Sequence, residues 1–252
     1  MRSDEGRHGC RLQALSAGSA GPMIGQDARA LAFVRANTQL VAPTHVPEIR
    51  LHLADEAFSL WRMTEEEFGL GDLPPFWAFA WAGGQALARY LIDHPDLVRG
   101  RRVFDLASGS GIVAIAAAKA GAAAVAASDI DPLAISAIGL NAELNDVMVV
   151  SMQDDLLDRD PGPAEVVLAG DVFYERSMAD RVLPFLERAS AQGALVLVGD
   201  PDRALLPRPR FELVATYQVS VIPALEDAGV KRSIVWRLPP SREPAERPET
   251  DS

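Results

Sequence analysis

The chain has 252 residues, 48% of them hydrophobic, which is enough to bury a sizeable core and too apolar for a disordered chain. Its 35 acidic against 24 basic residues leave a formal charge of −11, a balance that repels polyanions and argues against nucleic acid as a partner. The lone Cys10 excludes an internal disulfide or a cysteine metal site and fits a reducing cytoplasm, and the scattered His45, His52 and His94 lack metal-ligand spacing, so no metal is expected.

Residues 1–25 read as a flexible tail, in which Arg2, Arg7 and Arg11 mix with Asp4 and Glu5 and no continuous apolar stretch marks a secretory signal. Residues 26–82 form an N-terminal accessory segment on the substrate side: a helix in DARALAFVRANT, a Pro-interrupted extended piece in APTHVPEIRLHL, and the acidic EEEFG. From Gly83 the pattern becomes regular, beginning with the amphipathic helix GGQALARYLIDH that Pro95 ends. RVFDL, VAAS, VMVVSM, EVVLA and ALVLVG then alternate with the helical VAIAAAKA, PLAISAIGLNAEL and SMADRVLPFLERA. Five strand candidates with helical crossovers predict a parallel sheet covered on both faces. FELVATYQVSVI and RSIVWRL are joined only by Ala224 to Lys231, a loop too short for a parallel crossover, so they form an antiparallel hairpin. The expected topology is six or more parallel-type units closed by that hairpin, within one domain over residues 83–240, followed by a flexible tail over 241–252. The longest apolar stretch, Gly111 to Ala127, is rich in Ala and Gly and broken by Lys119, so no membrane span is expected.

The first strand of the regular region runs into V-F-D-L-A-S-G-S-G, with Asp105 near its end and Gly109 and Gly111 in the turn before a helix. Ligands of doubly wound sheets bind at such carboxyl ends, where backbone amides and a helix N-terminus face them. The run GSGIVA, closing on Ala114, also satisfies the degenerate dinucleotide fingerprint. Asp105 conflicts with a pyrophosphate but suits the ammonium of an amino-acid-bearing cofactor. The second strand ends in AASDID, and Asp129, 24 residues after Asp105, is placed for ribose hydroxyls, which S-adenosylmethionine and NAD share. Asp131, before Pro132, reads as the N-cap of the next helix. MQDD puts Asp154 and Asp155 at the same edge, where a carboxylate accepts an adenine amino group. GDVFY brings Gly170, Asp171 and Tyr174 to the carboxyl end of the fourth strand.

D-L-A-S-G-S-G followed by SDID, QDD and GDVFYE resembles the class I, seven-strand S-adenosylmethionine-dependent methyltransferases. More narrowly, THVPEIRLHL, PPFWAFAWAGGQALARYLIDHPDLVRG, ASDIDPLAISAIGLNAELN and VVLAGDVFYE resemble the electron transfer flavoprotein β-subunit lysine methyltransferase family, related to the ribosomal protein L11 methyltransferase group. The resemblance runs from about Phe33 to Trp236. It implies an α/β fold: a doubly wound, Rossmann-like, seven-stranded mostly parallel sheet with an antiparallel C-terminal strand hairpin and a small N-terminal accessory segment.

It further implies that Asp105 and the turn Ala107, Ser108, Gly109, Ser110 and Gly111 hold the methionine portion of S-adenosyl-L-methionine, with Ala107 where a first glycine commonly stands. Asp129 takes the ribose with Ile130 beside it, Asp154 lies by the adenine, Trp81 walls the pocket and Gly170 completes the cofactor side. Asp171 is assigned to orienting the acceptor amine and Tyr174 to a hydrogen bond or an aromatic wall. Deprotonation is left to solvent, because a carboxylate raises the pKa of a neighbouring amine. Competing readings make Asp171 the cap of a helix starting near Glu175, Trp77 and Trp81 core aromatics, and Glu65 to Glu67 a solvated face rather than a contact for a basic protein; Thr38 and Glu48 are candidate substrate contacts. The implied activity is protein-lysine N-methylation with the electron transfer flavoprotein β subunit as partner. The alternatives are a ribosomal protein, a small amine, or an NAD(P)-binding oxidoreductase. A cytoplasmic monomer is expected.

Overall fold

The computed structural model describes residues 28–221 and 229–240; both predicted tails and most of the hairpin loop lie outside them. In chain order the elements are α1 Ala28–Ala36, β1 Gln39–Val41, β2 Leu51–Leu53, α2 Ala57–Phe68, α3 Ala82–Asp93, β3 Arg102–Leu106, α4 Ile112–Lys119, β4 Ala124–Asp129, α5 Pro132–Leu144, β5 Val150–Gln153, β6 Val166–Gly170, α6 Arg176–Ala191, β7 Leu195–Asp200, β8 Glu212–Ser220 and β9 Val230–Leu238. Seven strands form one sheet in the order β5-β4-β3-β6-β7-β9-β8. The strands β5, β4, β3, β6 and β7 pair in parallel, and β9 lies antiparallel between β7 and β8.

The doubly wound sheet and its antiparallel end match the sequence expectation, but the parallel strands number five rather than six or more. The reason lies after β7, where Pro201, Pro207 and Pro209 remove backbone donors and leave only a 3-10 turn at Arg208–Arg210 in place of a crossover helix. Two elements lay outside the periodicity reading. QLV pairs with β2 as a short antiparallel ribbon, and the acidic run belongs to the helix α2.

Alternation along the central strands sorts the core into two layers. Val103, Val125, Val166, Leu168 and Leu197 pack with α3 and α4 on one face, while Phe104, Ala126, Val167, Ala169 and Val196 pack with α6 on the other. The nearly all-apolar α5 is buried on both sides: Ile138 faces the sheet layer, and Leu133, Ala137 and Leu140 face Phe33, Val34, Leu60 and Trp77 of the N-terminal segment. Asn141 and Asn145 hold that segment in place by accepting the backbone N–H groups of His52 at 2.7 Å and Arg50 at 3.0 Å.

The first turn of α3 docks directly on strand backbone. A Cβ on Gly199 would stand 2.1 Å from the Gly83 carbonyl oxygen, and one on Gly170 3.0 Å from the Gly84 Cα. Only glycine permits this approach, and it brings the N-terminus of α3 to the carboxyl ends of β6 and β7. The chain runs outward from β3 through β4 to β5 and returns to place β6 against β3. The switch point of the sheet therefore lies between β3 and β6.

Candidate active site

The carboxyl edge at this switch point collects an acidic residue from each central strand. Asp105, the penultimate residue of β3, is almost completely buried; its Oδ2 accepts the Ser108 hydroxyl at 2.5 Å and the Ala114 N–H at 3.1 Å. Its Oδ1 is buried and has no hydrogen-bond partner among the described residues. Burial pushes the Asp105 carboxyl up to about 7, the bonds from Ser108 and Ala114 pull it down, and the nearby Asp129 adds to the rise.

The turn between β3 and α4 is left-handed at three positions: Ala107 at φ 50°, Gly109 at 54° and Gly111 at 82°. At Ala107 this conformation is strained, because a Cβ is disfavoured there. The turn is tied to the next strand by Asp129, whose Oδ2 accepts the Gly109 N–H at 2.9 Å and whose Oδ1 accepts that of Asp131 at 3.0 Å. Burial raises the Asp129 pKa. Asp131 caps α5 through the Leu133 N–H at 2.7 Å, as Asp-Pro predicts. A Cβ on Gly109 would stand 3.8 Å from the Trp77 Cα and 3.9 Å from the Phe76 carbonyl oxygen, so the turn packs close under the backbone of that segment.

At the end of β6, Asp171 is buried in a left-handed backbone conformation at φ 56°. Its N–H donates to the Gly199 carbonyl at 2.8 Å, and its Oδ2 accepts the Gly84 N–H at 2.7 Å. Asp171 thus caps a helix, as one sequence reading expected, but the helix is α3 from across the fold. The N-cap of α6 is Glu175, which makes no side-chain capping bond. Arg203 Nη2 lies 3.4 Å from Asp171 Oδ1.

An aromatic wall stands beside this carboxylate. The half-exposed Tyr174 meets Phe76 edge-on at 5.2 Å, Phe76 meets Trp81 at 5.6 Å, and the Trp81 indole donates to the Phe76 carbonyl at 2.9 Å. Burial and the charge of Asp129 raise the Tyr174 phenol pKa. Trp77, by contrast, is a core residue at 1% exposure. Gly170 lies under α3, and the exposed Ile130 lies at the rim.

Asp154 shares this edge through its N–H to the Asp129 carbonyl at 3.1 Å, but its carboxylate is engaged by Arg159 at 2.7 Å. Asp155 is held by Arg181. The substrate candidates of the N-terminal segment make internal contacts: Thr38 donates to the Val34 carbonyl and Glu48 pairs with Arg89. Glu65, Glu66 and Glu67 form an exposed face. Among the described residues no cluster suited to a metal ion occurs, and no helix is long and apolar enough to cross a membrane.

Sequence reasoning missed Phe76, Gly199, Asp200 and Arg203. Asp200, fully buried at the end of β7, accepts the Arg203 N–H at 2.6 Å, and burial raises its carboxyl to about 6. One signal was available in GDPDR. Asp105, Asp129 and Asp171 all stand within one residue of the end of a parallel strand, and Asp200 does so on the next one.

A family profile described as ribosomal protein L11 methyltransferase (PrmA) matches residues 86–189. Among curated relatives, the electron transfer flavoprotein β-subunit lysine methyltransferase of Xenopus laevis is 39% identical over 214 residues, covering 82% of this chain and 86% of that protein. The human protein of the same name is 36% identical, covering 83% and 82% respectively. Among solved structures, a putative RNA methyltransferase from Pyrococcus horikoshii shares the fold with a TM-score of 0.50 at 19% identity, over 69% of this chain and 97% of that one.

Proposed function

Because this chain belongs to the electron transfer flavoprotein β-subunit lysine methyltransferase family, we propose that it methylates a lysine of that β subunit, presented to the aromatic wall beside Asp171. The protein is an S-adenosylmethionine-dependent protein-lysine N-methyltransferase. When bound, the cofactor supplies an electrophilic methyl group on a sulfonium sulfur. The observation that carries the site assignment is the buried, partnerless Asp105 Oδ1, which lacks the very donor that an amino-acid ammonium brings.

The residues at the switch point suit that cofactor. Asp105 takes the ammonium, the Ala107 to Gly111 turn lies along the methionine portion, and Asp129 takes ribose hydroxyls on exchanging its bond to the Gly109 N–H. Asp154 reaches an adenine by giving up Arg159.

Transfer to an amine needs alignment and a neutral nucleophile, with no covalent enzyme intermediate. Asp171, braced by the Gly84 N–H, accepts a hydrogen bond from the incoming amine. Tyr174, Phe76 and Trp81 flank the lysine stem and exclude water from the approach. The acidic surface draws a basic target.

The match of residues 86–189 to the L11 methyltransferase profile favours a ribosomal protein as the second reading. Incubation with tritiated donor and, separately, the electron transfer flavoprotein and ribosomes of the same organism decides between them. Label in the flavoprotein β subunit is expected. Label in ribosomal protein alone replaces the target, and label in small metabolites alone overturns the protein-lysine reading. Calorimetry with S-adenosylhomocysteine and NADH checks the cofactor; tight binding of NADH alone would refute it.

A further inference from the structure

We propose that Arg203 is a positioning residue for methyl transfer: it holds Asp171 in place and offsets its negative charge, so that the acceptor lysine reaches the site as a neutral amine. The inference rests on the assignment of Asp171 to the acceptor side.

A lysine ammonium carries no lone pair, so it must lose a proton to solvent before its nitrogen forms the new N–C bond. The methyl C–S bond would break in the same in-line step as that bond forms, its electron pair passing to sulfur. A bare carboxylate within hydrogen-bond distance opposes the first event, because it stabilises the charged ammonium. The site therefore needs a carboxylate to orient the amine and a cation to cancel its field.

Arg203 meets that need. Its Nη2 lies 3.4 Å from Asp171 Oδ1, while Asp171 Oδ2 faces the N-terminus of α3 through Gly84. The guanidinium is partly exposed, and its charge is felt by the Tyr174 phenol. Arg203 is anchored from below: its backbone N–H is held by the fully buried Asp200 at 2.6 Å. Its Nε is buried with no hydrogen-bond partner among the described residues. The charged and titratable groups facing it are Asp171 from β6, Asp200 from β7, and Tyr174 on the loop before α6. Asp202 on its own loop is already paired with Arg208 and Arg232. Asp129 and Glu175 act on the same region through Tyr174.

The test is the pH profile of kcat/KM for the wild-type protein, Arg203→Gln and Arg203→Lys, with S-adenosylhomocysteine affinity measured by calorimetry. Arg203→Gln is expected to move the rising limb about one unit toward alkaline pH, a loss of about tenfold near neutrality that is recovered at high pH. Arg203→Lys restores the wild-type limb, and cofactor affinity stays within about twofold in both. A second readout needs no turnover: target binding to the S-adenosylhomocysteine-loaded protein, in two buffers of different ionisation enthalpy, releases fewer protons in Arg203→Gln. A uniform drop in rate with an unmoved limb, or loss of cofactor affinity, assigns Arg203 a purely structural part and overturns the proposal. Failure of the wild-type protein to methylate any protein would instead sink the functional reading beneath it.

Discussion

Asp171 Oδ2 accepts the backbone N–H of Gly84 at 2.7 Å, joining the end of β6 to the first turn of α3. The carboxylate assigned to the acceptor amine is therefore also a helix cap, and its two roles separate by substitution. Asp171→Ala removes both, costing about 1 kcal/mol of stability in urea denaturation and abolishing transfer. Asp171→Asn keeps an acceptor oxygen for Gly84 and recovers most of that stability, yet transfers methyl groups far more slowly. S-adenosylhomocysteine affinity stays close to wild type in Asp171→Asn. Full turnover in that variant would remove the carboxylate from the reaction.

Ala107 stands in the left-handed region at φ 50°, where glycine carries no Cβ penalty. Ala107→Gly is expected to stabilise the protein by about 0.5 to 1 kcal/mol, since the strain relieved exceeds the entropy gained by the unfolded chain. Ala107→Val destabilises it. A lower urea midpoint for the glycine variant contradicts this account.

Four buried carboxyl groups at the site edge are raised, Asp129 among them: Asp105 and Asp131 to about 7 and Asp200 to about 6. Their native forms hold protons that the unfolded chain, with ordinary carboxyl values near about 3.9, gives up. The contribution is thus complete below about pH 4 and is lost as pH rises through the native values of about 6 to 7. The melting temperature of the cofactor-free protein is expected to fall between about pH 5 and about pH 8. An ammonium bound against Asp105 favours its carboxylate, so cofactor-product binding near pH 6.5 releases protons and gives a buffer-dependent enthalpy of about the ionisation heat of the buffer. Asp105→Asn abolishes that dependence.

With a formal charge of −11, the protein is expected to draw a basic target by long-range attraction that salt screens. Raising ionic strength from about 0.05 to about 0.3 M is expected to increase the KM for the protein substrate several-fold while leaving S-adenosylhomocysteine affinity almost unchanged. Equal loss in both measurements would point to a salt effect on the fold.

The amino-acid sequence by itself determined the layered α/β sheet, the hairpin at its end and the identity of its acidic edge. Those features follow from local alternation, from helix and turn chemistry around Gly109 and Asp131, and from the DLASGSG and GDVFY motifs. Tertiary structure decided what each acidic side chain touches. Asp171 and Gly84 are 87 residues apart, and their contact exists because the facing glycines Gly83 and Gly199 let two backbones meet. Arg203 reaches Asp171 only because the proline-rich return after β7 replaces a crossover helix and drops the loop onto the edge of the sheet. Periodicity reports which face a residue takes. The partner it meets there is set by close packing between segments distant in the chain, and at this edge that packing makes a predicted catalytic carboxylate also a helix cap and one half of an ion pair.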